Sequence, residues 1–128
     1  MKLLLDTHTA LWWVNERENL SSAAAKMLSD CTHTLHVSMV SAWEIAIKTS
    51  LGKLYEFEGG ASAFMDKLYD LPVSILPLSS HHIIAVETLP FVHRDPFDRL
   101  LVATAKTENM TILTADENIR KYDVMSAW

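Results

Sequence analysis

An α/β sandwich around a parallel sheet of four to five strands is the fold class that the sequence predicts, and three observations predict it. Short apolar runs alternate with helical patterns along the whole chain. The first run, Leu3-Leu4-Leu5, is apolar on both faces, which suits a central parallel strand covered from both sides. Capping residues and helix breakers divide the rest into one strand and one or two helices at a time, the pattern of parallel strands joined by helical crossovers.

In order, Lys2 to Leu5 reads as a strand that Asp6 ends, and Thr7 to Asn15 as a helix carrying Leu11, Trp12, Trp13 and Val14. Trp12 and Trp13 point about 100° apart on that helix, so one of them is a candidate for a partner surface. Ser21 or Ser22 can cap a second helix through Leu28. Thr34 to Ser38 is a strand. Ser41 opens a third helix, in which Val40, Trp43, Ile47 and Leu51 recur at helical spacing and predict a well-buried element that Gly52 stops. Tyr55 to Gly60 is a loop. Ala61 to Leu71 is a helix with Phe64, Leu68 and Leu71 on one stripe, ended by Pro72. Val73 to Leu76 is a strand, and Ser79 or Ser80 caps a helix through Val86. Asp95-Pro96 is a strong helix start, with an acidic cap and a proline at the first helical position, and that helix runs to Asn109. Thr111 to Thr114 is a strand, Asp116 starts a short helix to Tyr122, and Val124-Met125 is a last edge strand.

The chain has 128 residues, enough for one domain over 1–128 with its own core. Half of it is hydrophobic, at 49%, which excludes a disordered acidic segment. Cys31 is the single cysteine, so neither an internal disulfide nor a Cys-rich zinc site is possible, and a lone thiol suits the cytoplasm. No apolar run approaches the roughly 20 residues that cross a membrane. The start Met1-Lys2-Leu3-Leu4-Leu5 resembles a signal peptide, but Asp6 interrupts it, and it reads as mature structure. A net charge of −5 argues against binding nucleic acid by bulk charge. It leaves room for a nuclease with a local acidic site, because the site acids themselves count in that total.

Four carboxylates occupy related places in this map. Asp6 ends the first strand, Glu44 lies in the first turn of the helix after the second, Asp98 lies in the first turn of the helix leading into the fourth, and Asp116 follows the fourth. The crevice of an open parallel sheet lies beyond the C-terminal ends of its strands. Asp98 is the awkward member, since a loop precedes its helix. Each also has a plain structural reading. Ser41-Ala42-Trp43-Glu44 fits a capping box, Asp98 suits a helix dipole, and Asp116 suits an N-cap. Asp6 resists such a reading, because an unpaired carboxylate in an apolar segment is costly.

Taken together, the four acids point to a cation. Two like charges about 4 Å apart repel by about 4 kcal/mol at an effective dielectric near 20. Four converging acids therefore call for protonation or a hard divalent ion. Mg²⁺ keeps several waters, which leaves positions for a phosphate and an attacking water and suits phosphodiester hydrolysis.

Leu5-Asp6-Thr7-His8, Trp43-Glu44-Ile45, Asp95-Pro96-Phe97-Asp98-Arg99 and Leu113-Thr114-Ala115-Asp116 together resemble the PIN domain, and more narrowly the VapC-type toxins of toxin–antitoxin pairs. The resemblance spans essentially the whole chain. It implies a PIN-like three-layer sandwich and a metal-dependent endoribonuclease. By matching motif, Asp6, Glu44, Asp98 and Asp116 take the catalytic acidic positions. Asp6 and Asp98 would bind Mg²⁺ or Mn²⁺ directly, and Glu44 and Asp116 directly or through water. It also implies an RNA substrate, a homodimer and a small cognate antitoxin.

Several further residues draw attention. Thr7 and Thr114 flank site acids and are placed to orient a carboxylate or a water; Asp95 is a helix cap or a fifth acid. Lys48, Arg94 and Arg99 are candidates for RNA phosphates. Lys48 also fits an intrahelical pair with Glu44, and Arg99 reads as a surface or partner residue. His8 could approach the site. His81, His82 and His93 lack zinc-site spacing, and no phosphate-binding glycine loop is present. Two other classes compete with the nuclease: a metal phosphatase using Asp6 as nucleophile, and a non-catalytic module on the same scaffold. The first lacks the Asp-x-Asp string, since His8 stands at its second position, and the second would be expected to have lost site acids.

Overall fold

The computed structural model describes residues 1–54 and 57–128; Tyr55 and Glu56, at the start of the expected loop, lie outside the described residues. The elements are β1 (Lys2–Leu5), α1 (Thr7–Asn15), a 3₁₀ turn (Arg17–Asn19), α2 (Ser22–Ser29), β2 (Thr34–Ser38), α3 (Met39–Ser50), α4 (Gly60–Tyr69), β3 (Ser74–Leu76), α5 (Ser80–Val86), α6 (Pro96–Glu108), β4 (Thr111–Leu113), α7 (Glu117–Arg120) and β5 (Ser126–Ala127). The five strands are all parallel, in the order β3-β2-β1-β4-β5.

β1 lies at the centre because it can be buried on both faces. Leu3 and Leu5 point into one core with Trp13, Phe64 and Leu68, from α1 and α4. Leu4 points into the other with Leu101, Val102, Ala105 and Ile119, from α6 and α7. The alternation is that of a strand, and it produces a helix–sheet–helix sandwich. Leu5 pairs with Val37 on one side and Leu113 on the other, so β1, β2 and β4 end at the same edge. Strand order reverses direction at β1, and the crevice between β1 and β4 is the topological switch point of such a sheet.

Helices that link parallel strands run antiparallel to them. Each therefore begins at the edge where the strands end. This resolves the position of Asp98: α6 leads into β4, so its N-terminus lies at the C-terminal edge of the sheet although a loop precedes it.

Three local expectations need correction. The third helix starts at Met39, capped by Ser38, whose Oγ accepts from the Val40 N–H. Ser41 and Glu44 are therefore inside the helix and form no capping box. The expected apolar stripe of α3 is not its buried face: Val40, Ser41, Ala42, Glu44 and Ile45 point inward, while Trp43 is 54% and Leu51 60% exposed. Turning Glu44 inward puts its neighbour Trp43 outward, against the edge of Phe97. The last strand is Ser126–Ala127 rather than Val124-Met125, although the Met125 carbonyl already accepts from the Ile112 N–H. Of the two tryptophans in α1, Trp13 is core, and Trp12 is half-buried against His8 and Trp128.

Candidate acidic site at the C-terminal edge of the sheet

Asp6 is the N-cap of α1 as well as the residue that ends β1. Its Oδ1 accepts the Thr9 N–H at 2.7 Å, and its Oδ2 accepts the Thr114 hydroxyl. It is 4% exposed. Burial pushes its carboxyl above the ordinary carboxylate range, and the hydrogen bonds from Thr114 and Thr9 only partly offset this. Thr114 also accepts the Asp116 N–H at 2.9 Å, so one hydroxyl ties the first acid to the turn carrying the fourth. Asp116 caps α7 through the Asn118 N–H at 2.8 Å.

Glu44 is 3% exposed. Thr7 Oγ1 donates to its Oε1 at 2.6 Å and pairs with Ser41 Oγ at 3.0 Å. Its Oε2 pairs with Lys48 one turn on. Burial works to lower the pKa of Lys48, but the bond to Glu44 and the charges of Glu44, Asp95 and Asp98 outweigh it, and the lysine is held more firmly protonated.

Asp98 lies in the first turn of α6, where Asp95 accepts the Phe97 and Asp98 N–H groups at 2.9 and 3.0 Å. Its Oδ2 lies 3.2 Å from His93 Nε2. Its pKa is raised from 3.8 to about 6: burial is the main cause, and repulsion from Asp95, Asp116 and Glu44 adds to it against the His93 hydrogen bond. Asp98, Glu44 and Asp116 therefore share one field. Asp6 joins them through Thr114, and Thr7, next in the chain after Asp6, bonds Glu44.

Each acid also has its own protein partner, and like charges repel. Among the described residues, no three His, Cys, Asp or Glu side chains already close into a metal cage. The donor set is nonetheless all hard oxygen, from carboxylates and threonine hydroxyls, and its net charge is negative even with Lys48 included. That chemistry fits Mg²⁺ or Mn²⁺ and does not fit a soft or nitrogen-preferring ion.

The remaining candidates separate. Lys48 faces the acids, and Arg94 is exposed. Arg99 is neither a surface nor a phosphate-facing residue: it is 5% exposed, donates to the Leu89 and Pro90 carbonyls and to Tyr122 Oη, and lies 4.1 Å over the Phe91 ring. One position after Asp98 on the helix, it points into the α6 layer. His8 is exposed against Trp12. His82 is buried in a capping box with Ser79 and bonded to Glu108. Sequence reasoning missed Ser41, Thr9 and His93. Thr9 carried a local signal, as the third residue after a capping acid. His93 carried none, because it reaches Asp98 only through the packing of the loop before α6.

A parallel sheet with acids at three helix starts beside its switch point, and a fourth inside α3, is a recognisable architecture. The PIN domain family matches residues 3–125, and the chain belongs to that family. The chain is 27% identical over 120 residues to Ribonuclease VapC22 of Mycobacterium tuberculosis, covering 94% of this chain and 91% of that protein. Among solved structures it is similar to VapBC2 from Rickettsia felis bound to a promoter DNA fragment, with a TM-score of 0.74, 17% identity and coverage of 100% and 99% of the two chains. It is also similar to VapBC-1 from nontypeable Haemophilus influenzae, with a TM-score of 0.67, 15% identity and coverage of 99% and 97%. At those identities the structures speak to the fold.

Proposed function

We propose that the chain is a metal-dependent endoribonuclease, a single PIN domain over residues 1–128 acting as the toxin of a toxin–antitoxin pair in the cytoplasm. The observation that carries this reading is the crowding of Asp98 by Asp95, Asp116 and Glu44 at the switch point where Asp6 ends the central strand. The relative named as a ribonuclease supports the activity, and the similarity to VapBC structures supports a small antitoxin partner. A homodimer is part of the same reading.

In this reading Asp6 and Asp98 hold Mg²⁺ or Mn²⁺ directly, with Glu44 and Asp116 binding directly or through water. A divalent ion held by these acids would supply Lewis-acid chemistry, offsetting charge on the scissile phosphate and acidifying water. The protein's own groups do the rest. Thr114 holds the Asp6 carboxylate and ties it to the Asp116 turn. Thr7 turns one oxygen of Glu44, the other pairs with Lys48, and the carboxylate so held would position an attacking water. Lys48, kept protonated, offers a positive charge beside the acids for a phosphate oxygen.

The test is cleavage of single-stranded RNA by purified protein with Mg²⁺ or Mn²⁺. Cleavage is expected to vanish with EDTA and to fall by about 10²-fold or more in Asp6→Asn and Asp98→Asn. Undiminished cleavage by either variant, or in EDTA, would overturn the reading.

A further inference from the structure

A chain of side chains runs from the core of the α6 layer to Asp98. Arg99 Nη1 lies 3.1 Å from Tyr122 Oη, Tyr122 Oη lies 2.8 Å from His93 Nδ1, and His93 Nε2 lies 3.2 Å from Asp98 Oδ2. Its direction follows from the donor inventory. A guanidinium only donates, so Tyr122 Oη accepts from Arg99. The tyrosine has one proton of its own to give, and His93 Nδ1 is its acceptor. A ring nitrogen that accepts carries no proton, so a neutral His93 carries its proton on Nε2, facing the Asp98 carboxylate. The opposite tautomer would leave the buried Tyr122 hydroxyl proton with no acceptor among the described residues. It would also set a lone pair against a carboxylate oxygen.

The loop that carries His93 is fixed by the same arginine. Arg99 bonds the Leu89 and Pro90 carbonyls and lies over Phe91, so the residues leading into His93 are held against α6. His93 also meets the Tyr122 ring edge-on, with centroids 5.4 Å apart. Both its ring plane and its tautomer are thereby fixed by groups outside the acidic site.

We propose that His93 is a positioning residue. Through a tautomer imposed by the Arg99–Tyr122 pair, it donates Nε2–H to one oxygen of Asp98 and leaves the other oxygen directed at the site. This rests on the reading of Asp98 as a metal-binding acid, and it adds a residue and a device to that reading. Histidine–carboxylate contacts that orient a metal-binding group typically change metal affinity by about 10- to 100-fold when removed.

Two measurements separate the proposal from its foundation. The first needs no metal: long-range ¹H–¹⁵N NMR of the ¹⁵N-histidine-labelled protein at neutral pH. His93 is expected as the Nε2–H tautomer, and Tyr122→Phe is expected to release it into a mixture. An Nδ1–H tautomer, or a pattern indifferent to Tyr122→Phe, would overturn the proposal whatever the site binds. The second is Mn²⁺ titration by calorimetry. His93→Ala is expected to weaken binding by about 10-fold or more. His93→Gln, whose amide nitrogen reaches the Nε2 position, is expected to recover most of the loss, and His93→Asn, which reaches only the Nδ1 position, is not. Equal affinities in wild type and His93→Ala, or equal recovery by Gln and Asn, would overturn it. Asp98→Asn serves as the control for the foundation. If wild type and Asp98→Asn bind Mn²⁺ alike, Asp98 is not a metal-binding acid and the proposal falls with that reading, while the NMR result still reports how His93 is held.

Discussion

At Asp98, position and charge conflict. Burial and three neighbouring acids raise its pKa from 3.8 to about 6, so the folded protein binds a proton there that the unfolded chain has already released. Between about pH 4 and 6 the native state therefore carries more protons than the unfolded one, and stability falls as pH rises through that window. Asp6, also raised by burial, adds to the slope with the same sign. In EDTA, the protein is expected to withstand urea better at pH 5 than at pH 7. Asp98→Asn, which keeps the shape and removes the charge, is expected to flatten that difference. Urea midpoints at the two pH values measure it, and a slope unchanged in the variant would mean that Asp98 is not the crowded group. Asp6, Asp98 and Asp116 were legible in the sequence because each lies where a strand ends or a helix begins, and strand runs and caps are local signals; Glu44 sits further inside its helix, where the start at Met39 places it. The partners that govern these acids were not legible. Tyr122 meets His93 and Arg99 across 29 and 23 residues, and no spacing rule reaches that far.

Among the elements, the helices after strands are placed by their caps, and the caps also carry acids to the site. Ser38, Asp95 and Asp116 each accept backbone N–H groups at the start of a helix at the C-terminal edge. The reading of Asp95-Pro96 as a helix start was sound because a capping acid and a proline need only each other. The reading of Ser41 as a cap failed because Ser38, three residues earlier, offers the same chemistry, and only the end of β2 decides between them. The stripe on α3 failed for a related reason. Helical spacing finds apolar residues that share a face, but it does not say whether a buried glutamate faces the opposite way. Asp95 has a cap role that separates cleanly from its charge. Asp95→Ala is expected to lose about 1 kcal/mol of stability, while Asp95→Ser, which keeps an oxygen for the Phe97 and Asp98 N–H groups, stays within a few tenths. Urea unfolding of the two variants decides it. If Asp95→Ser is as destabilised as Asp95→Ala, the carboxylate is needed for more than its cap.

For the whole molecule, the sheet order β3-β2-β1-β4-β5 places a crowded set of acids beside the end of the central strand. β1 is covered on both faces by two separate cores, and its last residue is followed by a nearly inaccessible carboxylate. A scaffold this well packed can tolerate a local excess of negative charge, because the burial of Leu3, Leu4 and Leu5 does not depend on it. The same excess makes stability responsive to any cation that binds the folded form alone. Such a ligand stabilises by mass action, by about 2.7 kcal/mol at a hundred times its dissociation constant. For a domain of this size that corresponds to a rise in melting temperature of roughly 10 °C. Melting the protein in saturating Mn²⁺ and again in EDTA at pH 7.5 is expected to show a gap of this order. The gap should shrink at pH 5, where protons compete for Asp98, and should be largely lost in Asp6→Asn. In the proposed reading Ca²⁺ gives a smaller shift, because it asks for more oxygen ligands than Mg²⁺ or Mn²⁺ and keeps fewer of its waters. Identical melting curves with and without Mn²⁺ at pH 7.5 would mean that the acids share a field without sharing an ion.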